Sequence, residues 1–565
     1  MDQRALGESL TVFGAELIVN PSSYEFKEFI VLDIETDESD NFVGIGISDS
    51  SDRAYYFSSL GQHLLDTLEE KKLGGHNLKF DCKLLKKWGC NIRPEQMVVD
   101  TMLMSYVIDT TRDSHGLKDL SKELLKRTYP SYKSIVGKGK KKLTLDKHPI
   151  EVVSAYCAAD VRCTYDLWKY FEGRLNPTQR KVLDDLDMPL MRLLYEMELT
   201  GIRVDRFYLN GLREIFSADT MRRDTELKAK GLENPRSPKQ VLEWLKGKGV
   251  NVDSTDKRVL QYHNSNPDVK QLLEYRETHK LLSTYVEPLM DLSTADNRIH
   301  TSFNQVTYEK SDDQWKGIRT GRLSSSNPNL QNIPSRSESG KLIRRAFVPD
   351  QGFELICADF EQIEYRLLAH FANDELLIQA FLNGRDVHEE TGKAIGGDRK
   401  LGKNINFAAI YGAGADKVAT LCKISKVQAK EFLHTYWQKL PKVDDWIKEV
   451  KKQAYEQKGV RTLYGRWIPL PGIRAYNEME RWHWERAAVN YIIQGSAAEI
   501  LKLAMLKCNE QHYKPILTVH DELLFNTESP ENDCREIRDL MSNVVELKVP
   551  IIAKVGYGKN WEEAK

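Results

Sequence analysis

Residues Ile516–Phe525 read ILTVHDELLF, two apolar runs interrupted by His520, Asp521 and Glu522. Val, Ile, Thr and Phe favour extended backbone, so a short polar break between such runs predicts a tight hairpin with three polar side chains crowded at its tip. Asp is common in turns because it bonds its own backbone, and that alone is sufficient reason for an acid there. A carboxylate on a rigid tip can also serve chemistry, provided the rest of the chain brings it partners.

The 565-residue chain is too long for one core, and about one domain per 150 residues gives three or four units, enough for a cleft between them. Lys plus Arg total 82 against 83 Asp plus Glu, so no global positive field marks a nucleic-acid partner and any basic surface is local. The eight cysteines are scattered without a CxxC pair or a Cys/His cluster, which argues against a zinc site or a disulfide framework and for a reducing compartment. The N-terminus lacks a basic start followed by an apolar core, and no run reaches the roughly 18 apolar residues of a membrane span. The expectation is a soluble intracellular protein, neither secreted nor membrane-bound.

EFIVLDIETD and NFVGIGIS read as strands joined by the acidic turn ESDN, and a helix is expected from about Pro149 to Tyr170, so residues 1–172 form an α/β unit. The basic run VGKGKKKL (136–143) is a solvated loop or a phosphate contact. MPLMRLLYEMELTGIRVD (188–205) is an amphipathic helix closed at Gly201, and SPKQ (237–240) and STDK (254–257) are helix starts in a helical stretch over 173–300. From Thr301 onward strands alternate with long helices.

Asp359 falls at the end of the strand ELICA, before the helical pattern IEYRLLAHFA. Two strand-borne aspartates can converge on hard divalent cations, and paired metals activate one oxygen and stabilise another in phosphoryl transfer. An N-cap role accounts for Asp359 equally well. In RKLGKNINFAAIYG (399–412), Arg399, Lys403, Phe407 and Tyr411 recur every four residues and form one broad stripe, two cations followed by two rings. Such a stripe can grip a triphosphate and receive a sugar and base, or it can be a half-buried helix with core rings and solvated cations. In the first unit, Asp33 and Glu35 flank Ile34 on a strand and so share a side, and Tyr156 and Asp160 share a helix face.

TGRLSSSNPNLQNIP (320–334), DFEQIEYRLLAH (359–370), RKLGKNINFAAIYG, ERAAVNYIIQGSAAE (485–499) and VHDELLF (519–525) occur in the order of the motifs of family A DNA polymerases, the DNA polymerase I group, which the chain resembles. The first unit resembles that family's 3′-5′ proofreading exonuclease through Asp33 and Glu35 in DIET, Asp81 closing NLKFD, and Tyr156 and Asp160 in YCAAD. The family's N-terminal 5′ nuclease domain is expected to be lacking. The resemblance implies an α/β multidomain protein: an RNase H-like exonuclease (1–172), a helical linker and thumb (173–300), a first part of the palm (301–372), fingers (373–485) and the remaining palm (486–565).

The resemblance further implies two Mg2+ ions held by Asp359 and Asp521 with the Phe360 carbonyl, and two more in the exonuclease held by Asp33, Glu35, Asp81 and Asp160, with Tyr156 orienting the attacking water. Arg399 and Lys403 would clamp the triphosphate, Lys403 protonating the leaving group, while Phe407 and Tyr411 face the sugar and the nascent pair. Arg322, Asn329, Arg486, Asn490 and Gln494 would line the minor groove or the insertion site, and Glu364 would exclude a ribose 2′-hydroxyl. His388 in RDVH is counted with the substrate-binding residues, and His520 and Glu522 would shape the site and the primer end. The implied partners are primer-template DNA and deoxynucleoside triphosphates, with any replisome or processivity partner unspecified, in a bacterial or phage-infected cytoplasm or an organelle nucleoid. Phe360 and Glu361 stand where the family commonly has Tyr-Ser, Ala408 where Gly is common, Lys400 where Arg is, and the connection from His388 to Arg399 is short. The competing readings are an exonuclease-inactive polymerase, a polymerase making RNA, a stand-alone exonuclease, and a catalytically lapsed nucleic-acid binding protein of the same fold.

A phenyl ring at 407 offers no hydroxyl to replace the missing 3′-hydroxyl of a dideoxynucleotide. Phe407→Tyr adds one, and a bond to a charged phosphate is worth roughly 1.5 to 3 kcal/mol. The expected outcome is about ten-fold to a hundred-fold better dideoxynucleotide use with deoxynucleotide use unchanged, measured as the ratio of incorporation efficiencies in an exonuclease-deficient background.

Overall fold

The computed structural model describes residues 11–137, 142–306, 308–311, 314–334, 337–410, 412 and 414–565, with backbone alone at 308–311, 314–317, 394, 407, 409 and 410. Half of the basic run VGKGKKKL, residues 138–141, therefore lies outside the described residues. Among them no helix is long and apolar enough to cross a membrane, and all eight cysteines are free thiols.

The N-terminal unit is built on a seven-stranded mixed sheet, ordered Thr11–Val12, Ala15–Val19, Arg53–Phe57, Phe42–Ser48, Phe29–Thr36, Lys72–Gly75, Met97–Asp100. Phe29–Thr36 pairs antiparallel with Phe42–Ser48, the expected hairpin, and parallel with Lys72–Gly75. Its period-two alternation sends Ile30, Leu32 and Ile34 into a core shared with Leu78 and Leu85. Val31 goes the other way, against Val153, Cys157 and Val161 of the helix Ile150–Glu172, so Asp33 and Glu35 are directed to that helix's side of the sheet.

The helix Met188–Thr200 joins the two halves of the molecule because it is apolar on two faces. Met188, Met191 and Tyr195 pack in the N-terminal core, while Leu190, Leu193, Leu194 and Met197 pack in the C-terminal one. Gly201 ends it at φ 62, in the left-handed region where a Cβ is disfavoured. Glu198, buried on this helix, ion-pairs with Lys79 and, at 2.5 Å, with Lys83. It also accepts from the Phe303 backbone N–H at 2.7 Å. The following helical arm has its own core around Leu227, Trp244, Leu245, Leu260 and Leu272. Ser237 caps Pro238–Gly247 as expected. At STDK the helix begins only at Lys257, because Ser254 Oγ accepts from the Asp256 N–H and tightens the preceding turn instead of capping the helix.

The C-terminal sheet is antiparallel and ordered Pro515–Val519, Glu522–Thr527, Glu354–Phe360, Ala553–Gly558. Leu355–Ala358 and Leu523–Phe525 are buried in one core with Ile500, Met505 and Ile537. The helix Glu478–Glu510 is continuous for 33 residues, about 50 Å at 1.5 Å per residue. Its first half packs with Val460, Ile468 and Leu470 and its second in the sheet's core, so the expected boundary at 485/486 falls inside a single element.

Deep in the junction, Arg466 donates to both oxygens of Asp187 at 2.9 Å, and Lys502 Nζ donates to Asp187 at 3.1 Å. Glu499 lies 3.5 Å from Arg466 Nε and accepts from the Thr462 hydroxyl at 2.8 Å and the Tyr464 N–H at 3.1 Å. All four charged side chains are at most 2 % exposed. Despite burial, Arg466 and Lys502 hold the Asp187 carboxyl below its ordinary range. Asp187→Ala leaves two buried cations short of a partner and is expected to cost about 3–5 kcal/mol, read as a lowered midpoint in thermal or urea unfolding.

Candidate functional site

Val519 pairs with Glu522, so the hairpin turns on His520 and Asp521 alone, with His520 at φ 57. The Phe360 N–H donates to the Asp521 carbonyl at 3.2 Å, which fixes the tip beside the end of the Asp359 strand. Asp359 stands opposite Glu522 on one side and Lys554 on the other. Burial pushes the Asp359 carboxyl up to about 6. Lys565 opposes that rise, Glu522 and Asp521 add to it, and Lys554 opposes it. Asp521 is raised by burial and by Glu364, with Arg322 opposing.

Glu522 does not share the tip with its neighbours. It begins the return strand, 3 % exposed. It accepts from the Trp561 indole N–H, ion-pairs with Lys565, and lies 3.5 Å from Arg344. The Arg344 guanidinium sits 4.0 Å over the Trp561 ring. Glu522 thus anchors the C-terminal segment to the hairpin and holds the turn from below.

Arg322 and Glu364 are joined by a 2.5 Å ion pair and both face Asp521. Asn329 accepts from the Gln331 N–H at 3.0 Å and lines a groove of about 380 Å³ with Lys280, Thr284, Tyr285 and Asn332. Arg486, Asn490 and Gln494 recur every four residues on the long helix, and the Asn490 carbonyl oxygen is buried without a hydrogen-bond partner among the described residues.

Of the cation–aromatic stripe, the helix Arg399–Ile410 carries Arg399, Lys403 and Phe407; the Phe407 side chain and Tyr411 lie outside the described residues. Lys403 is exposed. Arg399 Nε donates to Asp386 at 2.8 Å. The other oxygen of that carboxylate caps the helix Val387–Ala394 through the His388 and Glu389 N–H groups. His388 is 3 % exposed, bonded through Nδ1 to the Asn406 side chain at 2.9 Å and set edge-on to Tyr365. Burial lowers its pKa to about 4. The ring is therefore part of the packing between two helices, a placement that the motif RDVH did not reveal. The short connection, residues 395–398, works because two glycines let the backbones touch. A Cβ on Gly402 would lie 2.0 Å from the His388 carbonyl oxygen, and one on Gly392 2.2 Å from that of Asp398.

In the N-terminal unit, carboxylate oxygens of Asp33 and Glu35 and the Cys157 Sγ lie within 4.8 Å of one another. Asp81, on the helix Leu78–Lys87, accepts from the Ile34 N–H at 3.2 Å. Asp160 and Tyr156 project from the helix Ile150–Glu172, both buried. Burial raises all four carboxyls. Asp160 raises Asp33 further, Asp33 and Asp160 raise Glu35, and Asp33 raises Asp81. Sequence reasoning missed Lys118 and Tyr129, which bond Asp160, and Cys157, whose thiol donates to the Asp33 carbonyl at 3.5 Å. A lysine and a tyrosine 42 and 31 residues from Asp160 carry no local signal.

Both clusters crowd carboxylates whose pKa is raised by burial first and, for most of them, by repulsion from a neighbouring acid, and both offer hard oxygen donors, the donor set that suits Mg2+. Asp359, Asp521 and the Phe360 carbonyl would hold ions in one, and Asp33, Glu35, Asp81 and Asp160 in the other.

Residues 208–563 match the family described as DNA polymerase family A, and residues 26–176 match the one described as 3′-5′ exonuclease. The chain belongs to DNA polymerase family A. It is 34% identical to the DNA polymerase I of Pseudomonas aeruginosa over 557 residues, 92% of this chain and 59% of that protein. To the DNA polymerase I of Borreliella burgdorferi it is 32% identical, over 95% of this chain and 62% of that protein. The chain thus spans about three fifths of the length of these curated relatives. Among solved structures it is similar to the POL domain of Pol1 from M. smegmatis in complex with DNA primer-template and dNTP, with TM-score 0.80, 28% identity and 95% of each chain covered. The expected family A architecture, an exonuclease domain followed by a polymerase domain, is that of this family A chain.

The Asp359 carboxyl, raised above its unfolded value of 3.8, favours the fold while protonated, and that stabilisation is lost as pH rises through about 6. In chelator, Asp359→Asn is expected to remain stable across this window and to exceed the parent at pH 7 by up to about 3 kcal/mol, measured by thermal unfolding at pH 4 to 7.

Proposed function

We propose that this family A chain extends a primer on a DNA template by two-metal nucleotidyl transfer and excises nucleotides from the 3′ end in its N-terminal domain. The observation that carries the reading is the fixed apposition of Asp359 and Asp521, tied by the Phe360 N–H to the Asp521 carbonyl at 3.2 Å. The name of the M. smegmatis structure gives that protein a primer-template and a dNTP as ligands, and the same substrates suit the residues around Asp521 here. Magnesium, two ions per site when bound, activates the attacking oxygen and stabilises the leaving one.

In synthesis, the primer 3′-oxygen bonds to the α-phosphorus, its proton is lost, and the bond from the α-phosphorus to the bridging oxygen of pyrophosphate breaks. Arg399 exchanges Asp386 for phosphate oxygens, and Lys403, on the same helix face, donates a proton to the departing pyrophosphate. Glu364, held by Arg322, fills the space beside the sugar and excludes a ribose. Asn490, with an unpartnered buried carbonyl oxygen, Arg486 and Gln494 meet the minor groove or the insertion site. In excision, Tyr156 orients a water that attacks the terminal phosphodiester, and a nucleoside monophosphate departs.

Replacing Asp359 or Asp521 with Asn is expected to abolish primer extension and leave single-strand degradation intact. The pair Asp33→Ala and Glu35→Ala is expected to do the reverse. Labelled primers run with magnesium and each nucleotide type read both activities; extension by either Asn variant near the parental rate would defeat the reading.

A further inference from the structure

Lys118 stands in the one-turn helix Leu117–Leu120, and its ammonium is ion-paired with Asp160 Oδ1. The Tyr129 hydroxyl donates to the same oxygen at 2.6 Å. The ammonium lies 3.9 Å from the centroid of the Tyr129 ring and 4.1 Å from that of Tyr156. Two ring faces and a carboxylate therefore fix a charge that on an ordinary surface lysine would be mobile. Lys118 also acts as an opposing charge on Asp33 and Glu35. Its side chain is 28% exposed and that of Asp160 6%, so the ammonium covers the solvent side of a carboxylate expected to hold metal.

We propose that Lys118 is a positioning residue of the excision centre, whose ammonium holds Asp160 in the metal-free protein and competes with a divalent ion for the same carboxylate oxygen. The inference rests on the excision reading above. Four acids crowded together from one strand and two helices repel one another, and one built-in cation offsets part of that repulsion before any ion arrives. An ion binding at Asp160 must then share or displace that charge, which weakens its site relative to one lined by Asp33 and Glu35 alone. Excision consequently needs more magnesium than it would with a neutral side chain at 118. A lysine that merely supported its carboxylate would have the opposite effect, since removing such a partner usually lowers metal affinity.

The test is an EPR titration of Mn2+ with full-length protein carrying Asp359→Asn and Asp521→Asn. The same protein with Asp33→Ala and Glu35→Ala serves as the blank. Adding Lys118→Met is expected to tighten the weaker excision-site ion about ten-fold, since removing one nearby charge is worth about one unit on a logarithmic scale. Lys118→Arg keeps the charge and is expected to match the parent. In the chain with intact Asp359 and Asp521, Lys118→Met should lower the magnesium concentration for half-maximal excision, with primer extension reporting that the variant is folded. Lys118→Gln repeats the measurement if the Met variant does not fold. Unchanged or weaker Mn2+ binding in the neutral variants, or tighter binding in Lys118→Arg, overturns the proposal. A parent with no Mn2+ above the blank would instead remove the excision reading itself.

Discussion

Asp187, Arg466, Lys502 and Glu499 place two negative and two positive charges where water does not reach, and such a cluster tolerates little displacement. Desolvating each ion is costly, and the cost is offset only while every partner is within hydrogen-bond or ion-pair reach. The four come from the helical turn Leu183–Asp187 that leads into Met188–Thr200, from the turn between the short strands Gly459–Arg461 and Trp467–Pro469, and from the long helix. Arg466 also approaches the Tyr106 ring of the exonuclease domain, whose hydroxyl accepts from the Gly321 N–H of the TGRLSSS motif at 3.1 Å. Electrostatics therefore helps set the relation of the two halves, with the helix Met188–Thr200 packing its apolar residues into both cores.

The two acidic centres meet the same difficulty with different means. Lys554 and Lys565 lie near Asp359 and Arg322 near Asp521, and Glu522 is taken up by Trp561, Lys565 and Arg344. In the exonuclease domain the Lys118 ammonium pairs with Asp160 and opposes the charge of Asp33 and Glu35. The Asp359 cluster is held by many partial compensations from side chains with other duties, whereas among the described residues the Asp160 cluster leans chiefly on Lys118, with the Tyr129 hydroxyl beside it.

Much of this was legible because the signals are local. Alternation placed Asp33 and Glu35 on one side of a strand, and the polar break in ILTVHDELLF located the turn and Asp521. What stayed hidden depends on partners distant in sequence. Glu522 reads like its neighbours, and only Arg344, Trp561 and Lys565 reveal that it is structural. Nothing local to RDVH tells that Asn406 and Tyr365 pack against His388. Lys118 is indistinguishable from the chain's other lysines, and the buried charge cluster draws on residues 187, 466, 499 and 502, which no window spans. Gly392 and Gly402 are unremarkable in helical sequence until the two backbones prove to be in contact.

That contact governs how the Arg399 helix can move. With no side chain between the backbones, Val387–Ala394 and Arg399–Ile410 have no layer to slide on, and His388 with Asn406 pins them further. They form one stiff unit, with Gly384 and Gly412 outside it, both with positive φ. Arg399 at one end of this pair of helices is thereby joined, through His388, to Tyr365 of the helix that follows Asp359. On the reading proposed above, a force on Arg399 would be felt behind Asp359.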